Sequence, residues 1–400
     1  MSFQPLKGIR ILDLTSVVVG PVCTWRLAQY GADVIKVESP EGDLMRGLGG
    51  SSPTGQHSGT YLHINRGKRN ICIDLKKSIA IKAIEHLVAS ADVVIANMRP
   101  SALEKLGLDH QTIRSKYPEK IYLLITGYGT DGPYAGQPTY DSVIQAATGM
   151  TGLSLERDGV PRYVPMLICD HVVGEIAASA VMAAVLEWRT SGKGCSVELP
   201  MFETMSAFVL QEHLAQQSFD PPVGPPGDRR LLNADNKPVK TADGWISFTV
   251  NTDSQVRAFF KVTERMELLD DLRFASVPAR TINVEEWFSI RGAPLTNKTT
   301  VEWLNVFQKA DIAAKPCHTL ETLIRDPHLT AVKLFSVEEH PTEGRTVALR
   351  STVRIDGEFL PLRDPAEPRG WSTRTVMTEL GFSEDVIDQL IDSGALYQTT

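Results

Sequence analysis

The sequence has few cysteines and lacks the spacings that would give them a structural role. Its five cysteines are odd in number, lie far apart and form no C-x-x-C pair, so neither a disulfide framework nor a zinc site is indicated. The nine histidines include no H-x-x-x-H pair, and no metal site is expected. This cysteine usage fits a reducing compartment best, so we expect a cytoplasmic location.

A signal-like stretch and an excess of positive charge are also missing. The first residues, Met-Ser-Phe-Gln-Pro, lead directly into a strand pattern, and the most apolar helical run carries Glu175 and is too short between charges to span a bilayer. The net charge of −7 argues against a general nucleic-acid or anionic-membrane surface. We expect no export, no membrane anchor and no nucleic-acid partner, although a local cationic groove for a phosphorylated ligand remains compatible with this charge.

Three common nucleotide and hydrolase motifs are absent. The first strand-to-helix turn, Val17-Val-Val-Gly20, has a single glycine where a dinucleotide fingerprint needs G-x-G-x-x-G, although Glu38 lies near the distance of a ribose-binding acid. There is no G-x-S-x-G elbow and no G-x-x-x-x-G-K-[ST] loop. Standard NAD binding and serine-hydrolase chemistry are therefore not expected.

What is present is a regular alternation of strand and helix patterns. With 400 residues, 42% of them hydrophobic and 22% charged, the chain is long enough for two globular domains. Short apolar strands at 9–14, 33–38, 71–75, 92–96, 121–126 and 195–199 alternate with helical segments, which predicts an open, mostly parallel α/β sheet. Residues 219–228 hold four prolines and two glycines, which predicts a linker into a smaller domain.

Five cations lie between Arg66 and Lys77, around the third predicted strand. They could meet the phosphates of a ligand, or they could form a solvated basic turn; the sequence alone does not choose between these interpretations.

Asp170 lies where an apolar segment, Pro165–Gly174, meets a long helix of small residues. Aspartate is a preferred N-cap, because its carboxylate accepts the free N–H groups of the first turn, and a helix N-terminus favours the ionised form. The same position suits a catalytic carboxylate, and the two roles are compatible. From the residues alone, the chain is an α/β protein that binds or transforms an anionic ligand.

Six ordered blocks in the first 200 residues carry a resemblance that goes further. They are residues 6–15, 31–38, 65–75, 91–100, 132–141 and Asp170. These blocks resemble the family III CoA-transferases, the group that includes formyl-CoA transferase and carnitine CoA-transferase. The resemblance continues through residues 326–329 and 349–353, and so covers nearly the whole chain.

The resemblance implies a catalytic role for Asp170, which would attack an acyl-CoA thioester to give a mixed anhydride and then an aspartyl-CoA thioester. Glycine-rich segments at 127–136 and 224–227 are candidates for the oxyanion donors. CoA or acyl-CoA would be a substrate, with no permanently bound cofactor. The implied CoA groove runs along Val17, Ile73, Lys76, Asn97, Met98 and Lys105.

The resemblance also implies a fold and an assembly. It implies a Rossmann-like large domain with an open, mostly parallel sheet, a smaller inserted α+β domain, and an interlocked homodimer of ring-like chains. We expect residues 1–222 to form the N-terminal, CoA-binding part of the large domain, 223–331 the small domain, and 332–400 a segment that returns to the large domain.

The implied function is transfer of CoA from an acyl-CoA, with succinyl-CoA as a candidate donor, to a small carboxylic acid. Ser16 and Val18 stand where formyl-CoA transferase has polar His and Gln, so its formyl and oxalyl specificity is not carried over. One alternative is an α-methylacyl-CoA racemase-like isomerase, which the lack of a histidine in Thr139-Tyr-Asp141 disfavours. A CoA-binding protein without turnover is another, and the retained Asp170 speaks against it.

Overall fold

A computed structural model describes residues 3–399 of the chain; Met1, Ser2 and Thr400, at the outer ends of the first and last predicted segments, lie outside the described residues. The chain divides into two compact units. The first contains the chain up to Thr148, Tyr163–Ala207 and the chain from Leu329, and the second contains Gly149–Arg162 and Phe208–His328. The sequence predicted a small domain at 223–331; in the structure the second unit begins earlier, and the predicted linker at 219–228 lies within it.

Strands and helices alternate through the first half of the chain. They are, in order, β1 (Arg10–Leu14), α1 (Val19–Gln29), β2 (Asp33–Glu38), α2 (Gly59–Ile64), β3 (Lys68–Ile73), α3 (Ile81–Ser90), β4 (Val93–Ala96), α4 (Pro100–Leu106), α5 (His110–Lys116), β5 (Ile121–Thr126), α6 (Asp141–Ala147), α7 (Met150–Asp158), α8 (Ile168–Ser191), β6 (Ser196–Pro200) and α9 (Met201–His213).

Six of these strands form a parallel sheet in the spatial order β3, β2, β1, β4, β5, β6. Strands β1, β4 and β5 are almost wholly buried, as expected for parallel strands that helices cover on both faces. The order 3-2-1-4-5-6 is that of a doubly wound sheet, in which the strand order reverses between the first and fourth strands. The prediction of an open, mostly parallel α/β sheet is confirmed.

The long helix α8 packs closely against α1 in the first unit. Its buried positions are mostly small, and Gly174 marks the closest approach: a Cβ at this residue would lie 2.7 Å from the carbonyl oxygen of Val19. By length and a mean hydropathy of 1.5, α8 is the one described helix that could also span a membrane. At 24 residues it is longer than the apolar run that the sequence analysis judged too short to span a bilayer; 44% of its most apolar window is buried, and its buried face packs against α1 and β5.

Most of the cations around β3 are paired inside the fold. Lys68 is buried and its Nζ donates to Asp13 Oδ2 at 3.3 Å and to the carbonyl of Pro21 at 2.9 Å. Arg66 forms an ion pair with Glu338, and Arg69 binds Asp33 at 2.7 Å. These three residues therefore form neither a phosphate site nor a solvated turn, and β3 begins three residues before the predicted strand because its charges are neutralised internally.

The second unit is built on an antiparallel sheet. Its elements after α9 are β7 (Val239–Lys240), β8 (Trp245–Thr249), α10 (Asp253–Val262), α11 (Val277–Ile282), α12 (Val284–Arg291), α13 (Thr300–Lys309), β9 (Ala313–Pro316) and α14 (Leu320–Leu323), with α15 (Pro327–Ala331) at its end. The strands pair in the order β7, β8, β9. Phe248, Phe259, Trp287, Trp303 and Phe307 dominate its buried core.

The C-terminal segment belongs to the first unit and completes its sheet. It forms β10 (Phe335–His340), β11 (Gly344–Leu349), β12 (Arg354–Ile355), β13 (Glu358–Phe359), α16 (Thr373–Glu379), α17 (Glu384–Asp392) and β14 (Leu396–Tyr397). Strand β14 pairs antiparallel with β3, with Leu396 opposite Ile73 and Tyr397 opposite Cys72. The last strand of the chain therefore covers the outer edge of β3.

Candidate active site

A cavity of about 250 Å³ lies at the carboxyl ends of β1, β4 and β5. In doubly wound sheets, ligands bind outside the carboxyl ends of the strands where the strand order reverses. That point lies between β1 and β4, and the cavity is lined there by residues of three strand-to-helix turns, together with Asp170 and Met201. The turn residues are Ser16–Val19, Asn97–Pro100, Ile125–Tyr128, Thr130 and Gly136–Tyr140.

The turn after β1 is held in an unusual backbone conformation. Val17 has a φ of +69°, which β-branched residues rarely adopt. Its N–H donates to the carboxylate of Asp43 at 3.0 Å, and Asp43 is in turn paired with the buried Lys36 at 2.8 Å. A buried ion pair beneath the turn thus holds Val17 at the cavity wall.

Asn97 joins the turn after β4 to the turn after β1. Its side-chain oxygen accepts the N–H of Ser16 at 3.0 Å, and its Nδ2 donates to the carbonyl of Ser16 at 2.9 Å. The side-chain amide of Asn97 therefore connects the two turns, because it is hydrogen-bonded to both the N–H and the carbonyl of Ser16. This gives Asn97 a structural reason for its place, alongside the predicted role in binding CoA.

Asp170 lies in the first turn of α8 and is buried, with 7% of its surface exposed. It is the only carboxylate among the described residues that line the cavity. Burial, and in addition the nearby negative charge of Asp141, raise the pKa of Asp170 to about 7. The sequence argument held that the helix N-terminus keeps this carboxylate ionised. In the structure, burial and the like charge of Asp141 act in the opposite direction and favour its protonated form.

The prediction that Asp170 caps α8 is also wrong. The helix begins at Ile168, with Leu167 at the N-cap position and no side-chain cap from that residue. Instead Asp141, at the start of α6, accepts the N–H of Cys169 at 2.7 Å and that of Asp170 at 3.1 Å through Oδ2. Because another carboxylate satisfies the first turn, the side chain of Asp170 is left for the cavity.

The structure brings together four of the seven predicted site residues. Val17, Asn97, Met98 and Asp170 all line the cavity. Ile73 lies at the carboxyl end of β3, but it is 1% exposed and packs in the core. Lys76 and Lys105 are exposed and do not line the cavity. For these three residues, a role in CoA binding stays a prediction.

The predicted oxyanion segment at 127–136 contributes Gly127, Tyr128, Thr130 and Gly136 to the cavity wall. Four of its N–H groups are already used within the fold: those of Gly129 and Thr130 donate to the carboxylates of Glu203 and Glu198, both at 2.8 Å, and those of Gly132 and Ala135 donate to carbonyls of the same segment. Any oxyanion donor in this segment must therefore be another group. The other candidate loop, 224–227, belongs to the second unit.

Sequence reasoning missed the pair of residues that supports Asp170. Gln145 donates to Asp141 Oδ1 at 2.6 Å and accepts the N–H of Val164 at 2.9 Å, so it links α6 to the segment before α8. A local signal existed, since an acid at a helix start followed four residues later by an amide places both on one helix face. The hydrogen bond from the N–H of Cys169 to Asp141 joins residues 28 positions apart, so no local sequence pattern indicates it.

Comparison with known proteins places these features in a family. The sequence profile of CoA-transferase family III matches residues 6–373. Succinyl-CoA:glutarate CoA-transferase of Mus musculus is 30% identical over 405 residues, covering 99% of this chain and 91% of that protein. Succinate–glutarate CoA-transferase of Agrobacterium fabrum is 32% identical over 389 residues, covering 94% of this chain and 96% of that protein.

A similar solved structure comes from Mycobacterium tuberculosis. The protein is Rv3272, described as a probable fatty acyl-CoA transferase, and it is 32% identical to this chain over 372 residues, covering 90% of this chain and 93% of its own length. Its crystal structure superposes with a TM-score of 0.78 at 28% identity, covering 94% of this chain and 99% of that one. The similarity therefore extends over both sequence and fold.

Proposed function

The chain belongs to CoA-transferase family III and is a transferase, and from that premise we propose that it moves CoA from an acyl-CoA to a small carboxylic acid through covalent intermediates on Asp170. The observation that carries this proposal is the position of Asp170. It is the one carboxylate among the described residues lining a cavity at the strand-order reversal of a doubly wound sheet.

The proposed reaction needs no redox partner and no net proton transfer. A carboxylate oxygen of Asp170 attacks the thioester carbonyl, and the C–S bond breaks to release CoA thiolate and leave a mixed anhydride. The thiolate then attacks Cγ of Asp170, and the donor acid leaves as its carboxylate, which gives an aspartyl-CoA thioester. The acceptor carboxylate reverses these steps, so the thioester energy is conserved.

The raised pKa of Asp170 supports a nucleophilic role. Nucleophilic strength of an oxygen anion rises with its basicity, and a carboxylate with a pKa of about 7 is more basic than an ordinary one while still substantially ionised near neutral pH. Its burial also limits access of water, which would hydrolyse the anhydride. We therefore expect the rate of adduct formation to rise with pH, with a midpoint near 7.

The donor and acceptor are proposed by analogy with relatives. Two similar proteins are named for succinyl-CoA or succinate together with glutarate. We propose succinyl-CoA as the first donor to test and short dicarboxylic acids as the first acceptor class. A panel of acids offered with succinyl-CoA would identify the acceptor by the new acyl-CoA that forms.

The covalent mechanism is tested by trapping the enzyme with acyl-CoA in the absence of acceptor. We expect borohydride or hydroxylamine to leave a mass change on the peptide that contains Asp170, and Asp170→Ala to lose this adduct with a fall in transfer of a thousand-fold or more, on the order seen when a nucleophile is removed. Asp385→Ala, at an exposed position of α17 that does not line the cavity, is the matched control and should keep the adduct.

Two results would redirect the proposal. Full transfer by Asp170→Ala, with no adduct in the unaltered enzyme, would rule out the covalent mechanism. Exchange of deuterium at the α-carbon of a branched acyl-CoA without any acceptor would favour the racemase-like reaction instead.

We also propose that the protein is a homodimer of interlocked chains. The segment before α8 and the outer side of α8 expose large apolar side chains: Tyr163, Met166, Ile176 and Leu186 are 57%, 54%, 38% and 68% exposed. Clusters of exposed apolar side chains mark interaction sites more often than free surface. A second copy of the chain is the occupant that the family resemblance implies.

A further inference from the structure

Asp141 is hydrogen-bonded to the backbone N–H of the proposed nucleophile and is itself 3% exposed. Its Oδ2 accepts the N–H groups of Cys169 and Asp170, and its Oδ1 accepts Gln145 Nε2. Gln145 also donates to the carbonyls of Val164 and Met166 at 3.3 and 3.2 Å. The carboxylate of Asp141 is therefore fixed by hydrogen bonds on both oxygens and cannot turn away from Asp170.

The capping arrangement is unusual because it brings a second negative charge to the nucleophile. A neutral cap such as serine or asparagine would satisfy the same N–H groups. An aspartate also offsets the positive end of the helix dipole, which would otherwise stabilise ionised Asp170. With both carboxylates nearly buried, their repulsion is screened little by solvent.

Other charges near the cavity do not cancel this repulsion. Glu175 is paired with Arg26 through hydrogen bonds of 2.8 and 3.1 Å to Arg26 Nε. Burial lowers the pKa of His171 and so favours its neutral form. Arg99 is exposed to solvent. Besides Asp170, the charged and titratable residues among those described that line the cavity are Arg99, Tyr128 and Tyr140. The nearby parts of α1, α6 and α8 add Cys23, Arg26, Asp141, Cys169, His171 and Glu175.

We propose that Asp141 is a positioning residue whose fixed negative charge drives Asp170 from its carboxylate form toward its acylated forms. The inference rests on the proposed function and deepens it. When Asp170 becomes an anhydride or a CoA thioester, its negative charge leaves with the thiolate or with the released acid. The repulsion from Asp141 exists only in the free carboxylate, so acylation removes it.

The same repulsion acts on two equilibria of Asp170 in the same direction. Protonation and acylation both convert the carboxylate to a neutral group, and the neighbouring charge of Asp141 favours both. Removing that charge should therefore lower the pKa of Asp170 and lower the ratio of aspartyl-CoA thioester to free carboxylate by a similar factor. A role in structure alone would change neither quantity in this coupled way.

The experiment compares the unaltered enzyme with Asp141→Asn, which keeps an acceptor oxygen for the two N–H groups. With a fixed ratio of acyl-CoA to free acid at about pH 9, where Asp170 is ionised, mass spectrometry gives the ratio of trapped thioester to free Asp170. We expect Asp141→Asn to lower this ratio about tenfold and to move the midpoint of adduct formation down by about one pH unit. Glu175→Gln removes a carboxylate from the same helix and should move neither.

The outcomes separate the two proposals. Adduct in the unaltered enzyme with an unchanged ratio and midpoint in Asp141→Asn would overturn the inference but keep the proposed function. No adduct in the unaltered enzyme, with transfer intact in Asp170→Ala, would mean that the proposed function has failed. If Asp141→Asn does not fold, Asp141→Ser provides a second neutral acceptor, and failure of both to fold would assign Asp141 to stability alone and overturn the inference.

Discussion

Asp170 is held in an environment opposite to that of two other buried carboxylates in its unit, Asp13 and Glu38. Asp13 lies beside Lys68, and Glu38 is bound by Arg46 at 2.8 Å. Although burial opposes the shift, these cations lower the pKa of Asp13, and they lower that of Glu38 to about 2. Among the described residues, Asp170 has no such cation and faces Asp141 instead. The fold thus pairs Asp13 and Glu38 with cations and leaves the proposed nucleophile uncompensated.

This environment predicts that the nucleophile costs stability at neutral pH. Burial and Asp141 raise the pKa of Asp170 from an ordinary value of 3.8 to about 7 in the folded chain. The folded state therefore binds the proton more tightly, and the stability conferred by protonated Asp170 is present below about pH 4 and lost as the pH rises to about 7. Asp170→Asn should be more stable than the unaltered protein by a few kcal/mol at about pH 8.

Denaturant unfolding at two pH values checks this prediction. The advantage of Asp170→Asn should be clear at about pH 8 and nearly absent at about pH 4, because the protonated acid and the amide are both neutral there. An advantage of equal size at both pH values would show that packing, and not ionisation, distinguishes the two side chains.

Val17 gives a second prediction at this scale, because its φ of +69° suits glycine better than any residue with a Cβ. We expect Val17→Gly to be more stable than Val17→Ala by about 1 kcal/mol, the reverse of the usual order for these residues. Both variants should raise KM for acyl-CoA, because both remove the side chain from the cavity wall. Equal stability of the two variants in thermal unfolding would contradict a strained Val17.

At the scale of elements, the crossing of α1 and α8 sets the distance between the turn after β1 and the start of α8. A Cβ on Gly174 would come within 2.7 Å of the Val19 carbonyl oxygen and 2.8 Å of Val22 Cβ. Gly174→Ala should therefore force the helices apart, with a loss of about 1–3 kcal/mol in unfolding free energy and a fall in transfer activity.

A matched control exists in α7, where a Cβ on Gly152 would meet nothing within 4 Å. Gly152→Ala should be neutral or stabilising by up to about 1 kcal/mol, because alanine is the better helix former. Comparable losses in the two variants would show that helix propensity, and not the close approach at Gly174, governs the result.

The sequence predicted elements well where local patterns determine them. Strands β2 at 33–38 and β5 at 121–126 have the predicted bounds, because each combines a clear apolar pattern with clear ends. The start of β3 was predicted three residues too late, because its charged residues are typical of a turn. The pairing of Lys68 with Asp13, which allows that charge to be buried in a strand, joins residues far apart in the sequence. The capping of α8 by Asp141 was missed because it joins residues 28 or more positions apart, and local propensity favoured Asp170.

At the scale of the whole molecule, the strand order determines where the cavity lies, although the first turn has a single glycine and lacks the full dinucleotide fingerprint. A dinucleotide fold reaches its ligand through glycines in the first turn. Here the equivalent turn has Val17 in a left-handed conformation, supported by Asp43 and Asn97. The same strand order is thus combined with a different first turn. The motif search therefore disfavoured NAD binding, although a cavity still forms at the carboxyl ends of the central strands.

The proposed homodimer is tested by mass and by exchange. Light scattering should give about twice the chain mass of 44.0 kDa. Since interlocked chains cannot separate without unfolding, two differently tagged preparations should form no mixed dimers on mixing, whereas coexpression should yield them. A mass near that of one chain would exclude the dimer, and rapid exchange would exclude interlocking.

The pairing of β14 with β3 has a consequence for how the protein is made. The outer edge of β3 emerges from the ribosome long before Leu396 and Tyr397 are translated. At ~5–20 residues per second, this edge waits on the order of tens of seconds with its N–H and C=O groups unpaired. Unpaired strand edges recruit other chains. The nascent protein therefore passes through a period in which a chaperone, or a neighbouring nascent chain of the same polysome, can occupy the place that its own last strand will take.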